Sequence, residues 1–156
     1  YPRGGEDSID INTDLEINEG KAEILKDGTD ITIVAIGKMV SRAYKIADKL
    51  KQNNIDAQVI NARFLKPFDN NTVKNAIAKT KAVVTIEDGT IINGLATTVN
   101  ELVINENLLG IKIKNFAYPD IYVKHGSVEE LEKIYGLDEE NITEKIEKML
   151  KDEVLV

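Results

Sequence analysis

The sequence predicts an α/β protein, a three-layer α/β/α sandwich around a sheet of about five mostly parallel strands. Three observations predict it. Short runs rich in β-branched residues, led by Ile31-Thr32-Ile33-Val34-Ala35-Ile36, are apolar at successive positions, as in strands buried on both faces. Stretches whose apolar residues recur every three or four positions lie between those runs. The loops joining them are short, which favours right-handed strand-helix-strand crossovers within one sheet.

Residues 1–20 are polar, acidic and glycine-containing, and read as a connecting arm ahead of a single domain at 21–156. Ala22-Glu23-Ile24-Leu25 predicts a short edge strand, and Lys26-Asp27-Gly28 a turn. The run at 31–36 follows as a central strand. Val40, Ala43, Ala47 and Leu50 then mark one face of a helix, with Arg42, Lys45, Asp48, Lys49 and Lys51 opposite. Ala57-Gln58-Val59-Ile60-Asn61-Ala62 predicts the next strand, and Asp69 a helix N-cap ahead of Val73, Ala76 and Ile77. Ala82-Val83-Val84-Thr85-Ile86 is a further buried strand, followed by a helix over 94–105. Ile111-Lys112-Ile113-Lys114 alternates, so one of its faces is more open. Ser127 and Glu130 have capping-box spacing, with Leu131 and Ile134 as the expected buried side of that helix. Asn141 and Glu144 repeat the spacing more loosely, before a stripe of Ile142, Ile146, Met149 and Leu150.

Composition narrows the functional classes. The chain has 156 residues, one domain's worth, with 42% hydrophobic and 30% charged residues, a globular balance. Its 20 basic against 27 acidic residues give a net charge of −7 and no basic stripe, which disfavours nucleic acid as a partner. The lack of cysteine removes disulfides, thiol nucleophiles and cysteine-based metal sites, and a single histidine, His125, leaves little for a histidine-rich metal centre. No apolar run approaches a membrane span, so a cytoplasmic domain without a membrane partner is expected. A complete reading frame begins with Met, whereas this chain begins at Tyr1 and has its first Met at position 39, so a piece of something longer is expected.

Four features can carry chemistry. The loop Gly37-Lys38-Met39 lacks both the dinucleotide fingerprint and the P-loop pattern. Glu87 and Asp88, at a strand end, suit either a hard cation or acid–base work, or else a turn and helix N-terminus, and the second reading is favoured. His125 has no nucleophile or orienting acid beside it in sequence, which favours a structural or surface role. Arg3, between Pro2 and Gly4, suits bidentate capture of phosphate or carboxylate, although an arginine on an exposed arm is by itself more often solvated.

Taken together, Tyr1-Pro2-Arg3-Gly4, Arg63-Phe64-Leu65-Lys66-Pro67-Phe68-Asp69, Val84-Thr85-Ile86-Glu87-Asp88, Pro119-Asp120, His125-Gly126 and Tyr135-Gly136-Leu137-Asp138 closely resemble the carboxyl-terminal domain of the 1-deoxy-D-xylulose-5-phosphate synthases. Arg-Phe-x-Lys-Pro-x-Asp is the most specific element, because the related domains of transketolases and 2-oxoacid dehydrogenase β-subunits usually vary there. The resemblance implies a transketolase C-terminal-like fold. It also implies a transferase, dependent on thiamine diphosphate and Mg²⁺, that condenses pyruvate with D-glyceraldehyde 3-phosphate and loses CO₂, for isoprenoid, thiamine and pyridoxal synthesis.

In that family the cofactor, metal and most catalytic residues lie in a preceding N-terminal domain and a pyrimidine-binding domain, at a homodimer interface. The Gly-Asp-Gly…Asn pattern for metal and diphosphate is absent from this chain, so no cofactor, metal or turnover is expected of it alone. Arg3 matches the family arginine that contacts the aldehyde's phosphate, which reverses the solvated reading; no catalytic residue is carried over. Asn93-Gly94 stands where the family commonly has a glycine pair, and Asn61 where it has an acid. The rival readings are a 2-oxoacid dehydrogenase β-subunit domain, a transketolase domain, and a non-catalytic interaction module.

Overall fold

A computed structural model describes residues 16–151, and it places the most apolar runs at the centre of one five-stranded sheet. The strands are β1 (Glu23–Lys26), β2 (Ile31–Ala35), β3 (Ala57–Asn61), β4 (Ala82–Thr90) and β5 (Lys112–Tyr118). The helices are α1 (Met39–Gln52), α2 (Asn70–Ile77), α3 (Leu95–Asn105), α4 (Val128–Tyr135) and α5 (Glu139–Lys151). Strand order is β1-β3-β2-β4-β5. β2 pairs in parallel with β3 and β4, and β4 with β5, while β1 runs antiparallel along β3. The carboxyl ends of four strands therefore share one edge, and β1 starts at that same edge, with Glu23 opposite Asn61.

Side-chain alternation along the strands sorts the core into two layers. Ile31, Ile33, Val59, Val84 and Ile86 pack with Ala43, Ile46 and Leu50 of α1 and Ile142 and Ile146 of α5. Val34, Ile60 and Val83 point the other way, onto Val73 and Ile77 of α2 and Leu95 and Val99 of α3. Each fully buried Ile or Val is worth about 1.5–3 kcal/mol over its exposed state. Buried Thr32 and Thr80 bond to each other at 2.9 Å, and Thr85 reaches Asn115 at 2.8 Å, so the polar groups among the apolar strands are satisfied.

Three expectations need correction. The buried residue of α4 is Glu132, whereas Ile134 is 70% exposed and Leu131 only half-buried. Helical spacing alone marks the apolar side, but Glu132 turns inward to meet Lys38 and Arg42, and Tyr135 is the α4 residue that packs on the core. The last helix begins earlier than the Asn141 spacing suggests, because the Asp138 carboxylate accepts the Asn141 backbone N–H at 3.1 Å and takes the capping role. β4 and β5 both run beyond their apolar stretches, with Thr90 opposite Tyr118.

Candidate functional site

Ligand sites in open parallel sheets favour the edge beyond the strands' carboxyl ends. Two polar networks occupy that edge here. In the first, Lys38 follows β2, Asp88 comes just after the buried part of β4, Arg42 stands one turn into α1 and Glu132 projects from α4. The Lys38 ammonium lies 2.9 Å from Asp88 and 3.6 Å from Glu132. The Arg42 guanidinium donates to Glu132 at 2.7 Å and to the Leu137 carbonyl at 3.0 Å. Two cations thus balance two carboxylates, and Glu132, only 4% exposed, is tied to both cations. Partial burial disfavours the charged Lys38, but the hydrogen bond to Asp88 and the charges of Asp88 and Glu132 outweigh it and raise its pKa. Tyr118 packs edge-on against Tyr135 at 5.5 Å, and burial together with the Asp88 and Glu132 charges pushes its phenol up.

Glu87 is separate from this network. Its two carboxylate oxygens accept the Leu95 and Ala96 backbone N–H groups at 3.0 and 2.9 Å, capping α3 from the preceding strand. That is the helix-N-terminus reading of Glu87, with negative charge at the positive end of the helix. The N-cap position is Gly94, where a Cβ would come within 2.2 Å of the Glu87 carboxylate and push it off the two N–H groups it caps. Asn93, in the other half of the family's glycine pair, sits at φ 59°, and its N–H donates to Thr97. Asparagine tolerates that left-handed geometry better than most residues.

The second network surrounds the Arg63–Asp69 motif, where Asp69 caps α2 as the sequence predicts and the motif's other contacts, with residues 20–23, span distant parts of the chain. The Arg63 guanidinium donates to Glu23 of β1 at 2.6 Å, so Glu23 supplies an acidic partner where Asn61 supplies no charge. Asn61 instead accepts the Arg63 N–H at 3.1 Å, holding Arg63 at φ 56°. Pro67 packs against Gly20, which has φ 68° and no room for a Cβ beside the ring. Asp69 accepts from the Thr72 N–H with Oδ1, capping α2, and from the Thr72 hydroxyl and the Ala22 N–H with Oδ2. Burial would raise the Asp69 pKa, but these hydrogen bonds and the Lys21 charge lower it. The readable signal was the conjunction of Arg, Pro and a capping Asp in one loop between a strand and a helix.

His125 lies exposed in the loop between β5 and α4, and Arg3 lies outside the described residues. Among the described residues no three His, Asp or Glu side chains converge to hold a metal ion. With Glu87 committed to α3 and Asp88 to Lys38, these residues do not fit the metal–diphosphate group that the resemblance implies. Among the described residues no helix is long and apolar enough to cross a membrane.

The family profile of the transketolase C-terminal domain matches residues 20–142. The chain belongs to the transketolase C-terminal domain family. Within this family, it is similar to the 1-deoxy-D-xylulose-5-phosphate synthase of Clostridium acetobutylicum, at 40% identity over 94% of the chain and 24% of that enzyme. The synthase of Clostridium tetani is 37% identical over 96% of the chain and 24% of its own length. The chain thus spans about a quarter of the curated relatives it matches. A solved split-gene transketolase, described as an inactive β4 tetramer, superposes with a TM-score of 0.86 and 30% identity, over 95% of this chain and 48% of that one. The transketolase C-terminal fold predicted from the sequence is the one observed.

Proposed function

We propose that this chain is the carboxyl-terminal domain of a 1-deoxy-D-xylulose-5-phosphate synthase, which joins pyruvate to D-glyceraldehyde 3-phosphate with loss of CO₂. The observation that carries this reading is the similarity to such synthases over nearly the whole chain, at 37–40% identity in the two clostridial enzymes. Thiamine diphosphate and Mg²⁺ belong, on this reading, to the N-terminal and pyrimidine-binding domains of the longer protein, in a cytoplasmic homodimer. This domain supports the dimer and closes the edge of the site at which the aldehyde's phosphate binds.

Arg3 is the residue proposed to contact that phosphate, and a charge-assisted hydrogen bond there contributes about 1.5–3 kcal/mol. In the intact enzyme, Arg3→Ala should lower kcat/KM for D-glyceraldehyde 3-phosphate by roughly 10- to 100-fold, while D-glyceraldehyde itself is used about as before. Equal losses with both aldehydes would remove Arg3 from the phosphate site. The 156-residue chain alone should show no turnover and no metal-dependent thiamine diphosphate binding by calorimetry.

A further inference from the structure

We infer that α4, with the loop leading into it, is a lid over the carboxyl edge of the sheet. It is closed by the Glu132 carboxylate on Lys38 and Arg42, and it swings open while the rest of the domain stays folded. The lid's place follows from topology. The chain runs from β2 out to β3 and then back past β2 to β4, so the strand order reverses between β2 and β4. The crevice beyond their carboxyl ends is the ligand position that open α/β sheets favour. Lys38 and Asp88 meet there at 2.9 Å, and Glu132 comes down on Lys38 from α4. Opening the lid therefore uncovers two cations and a carboxylate at that crevice.

α4 is attached differently from α1 and α5. Those helices bury Ile46, Leu50, Ile142 and Ile146 in the core. The apolar side of α4 faces water instead, with Val128 51% and Ile134 70% exposed, and every residue from Asp120 to Glu130 is exposed. Its inward contacts centre on Glu132 and on Tyr135, which lies edge-on to Tyr118. Parting two apolar surfaces costs free energy in proportion to their area, whereas parted ions regain the hydration that burial took from them. An ionic closure can thus open without exposing the core.

The segment also has its own pivot and fixed points. The start of α4 is closed within the segment by the Ser127–Glu130 capping box, so it needs no partner on the sheet. Gly136 ends the helix at φ 68°, a conformation that glycine enters and leaves at little cost. Immediately after it, Leu137 is anchored, buried in the core with its carbonyl held by Arg42 at 3.0 Å. At the far end, the Tyr118 carbonyl accepts the Ile91 N–H at 2.8 Å and fixes the end of β5 before the exposed loop begins. Swinging about Gly136 gives up the bond from the Leu137 N–H to the Glu132 carbonyl, which makes that amide a reporter of opening.

Hydrogen exchange in the full-length protein, followed at one pH through α1, α4 and α5, is the test. In the unsubstituted protein the amides of residues 131–137 should exchange at least about 100-fold faster than those in the middle of α1 and α5, with little dependence on added urea. Glu132→Gln keeps the shape and an acceptor but removes the charge. It should speed residues 131–137 by roughly a further tenfold, leaving α1 and α5 as they were. If residues 131–137 exchange in step with α1 and α5, α4 opens only with the whole domain and the inference is overturned. This comparison needs no substitution, so it decides even if the variant folds poorly. An unchanged α4 rate in a folded Glu132→Gln protein also overturns it, because the carboxylate charge is then not what closes the lid.

Discussion

The two polar networks on the carboxyl edge solve the same problem by opposite means. Asp69 holds its charge mainly with neutral donors, the Thr72 N–H and hydroxyl and the Ala22 N–H, all within hydrogen-bonding reach. Glu132 holds its charge with two cations brought from the start of α1. A carboxylate satisfied by backbone dipoles stays satisfied when a distant side chain changes, because its donors belong to the fold itself. One that depends on cations is exposed to the loss of either of them.

The largest break in this comparison is Arg42→Ala. It leaves buried Glu132 with only the longer contact to Lys38, and should cost about 3 kcal/mol in urea unfolding. The paired change Arg42→Met with Glu132→Leu should restore most of that loss, since replacing a buried ion pair by apolar side chains is often close to neutral. If the double variant is as unstable as Arg42→Ala, the Leu137 carbonyl contact carries the energy instead. Asp69→Ala should cost less, about 0.5–2 kcal/mol, the range for losing an N-cap, and Asp69→Ser should recover the part due to α2.

The smallest effects separate the networks by pH. The folded-state pKa of Asp69 is lowered, so its contribution is complete above the ordinary aspartate pKa and is lost as pH falls through the depressed value. Lys38 has a raised folded-state pKa, so its contribution is complete below the ordinary lysine pKa and is lost as pH rises through the raised value. Asp69→Asn should therefore flatten the acid limb of the urea midpoint, and Lys38→Met the alkaline limb. Asp138, whose carboxyl is also depressed, keeps some acid dependence in the first variant. A midpoint whose limbs are unchanged by either substitution would show that the shifts do not differ between folded and unfolded chains.

What the sequence revealed followed from local chemistry. The strand at 31–36 was legible because apolar residues facing both ways can be satisfied only inside a sheet. Asp69 and Ser127 were legible as caps because the groups they bind lie three residues on, at Thr72 and Glu130. Glu132 was hidden because its burial depends on Arg42, 90 positions earlier, and no spacing within α4 records that partner. Arg63 was visible as a family signature, yet its pairing with Glu23 spans 40 positions and had no trace in the local pattern. The termination of β4 was misjudged for a related reason: apolarity ends at Ile86, while the backbone ladder is carried on by β5.

The ends of the sheet have a bearing on crowding at high concentration. An open sheet presents unpaired backbone groups along both outer strands, which invite a neighbouring chain to add a strand and nucleate aggregation. Here one outer strand, β1, is four residues long and broken by a register shift, so it offers little straight ladder to copy. The other, β5, carries Lys112 and Lys114 along its first half, where a second identical strand would meet like charge. The irregularity of β1 thereby acts as a guard against uncontrolled polymerisation.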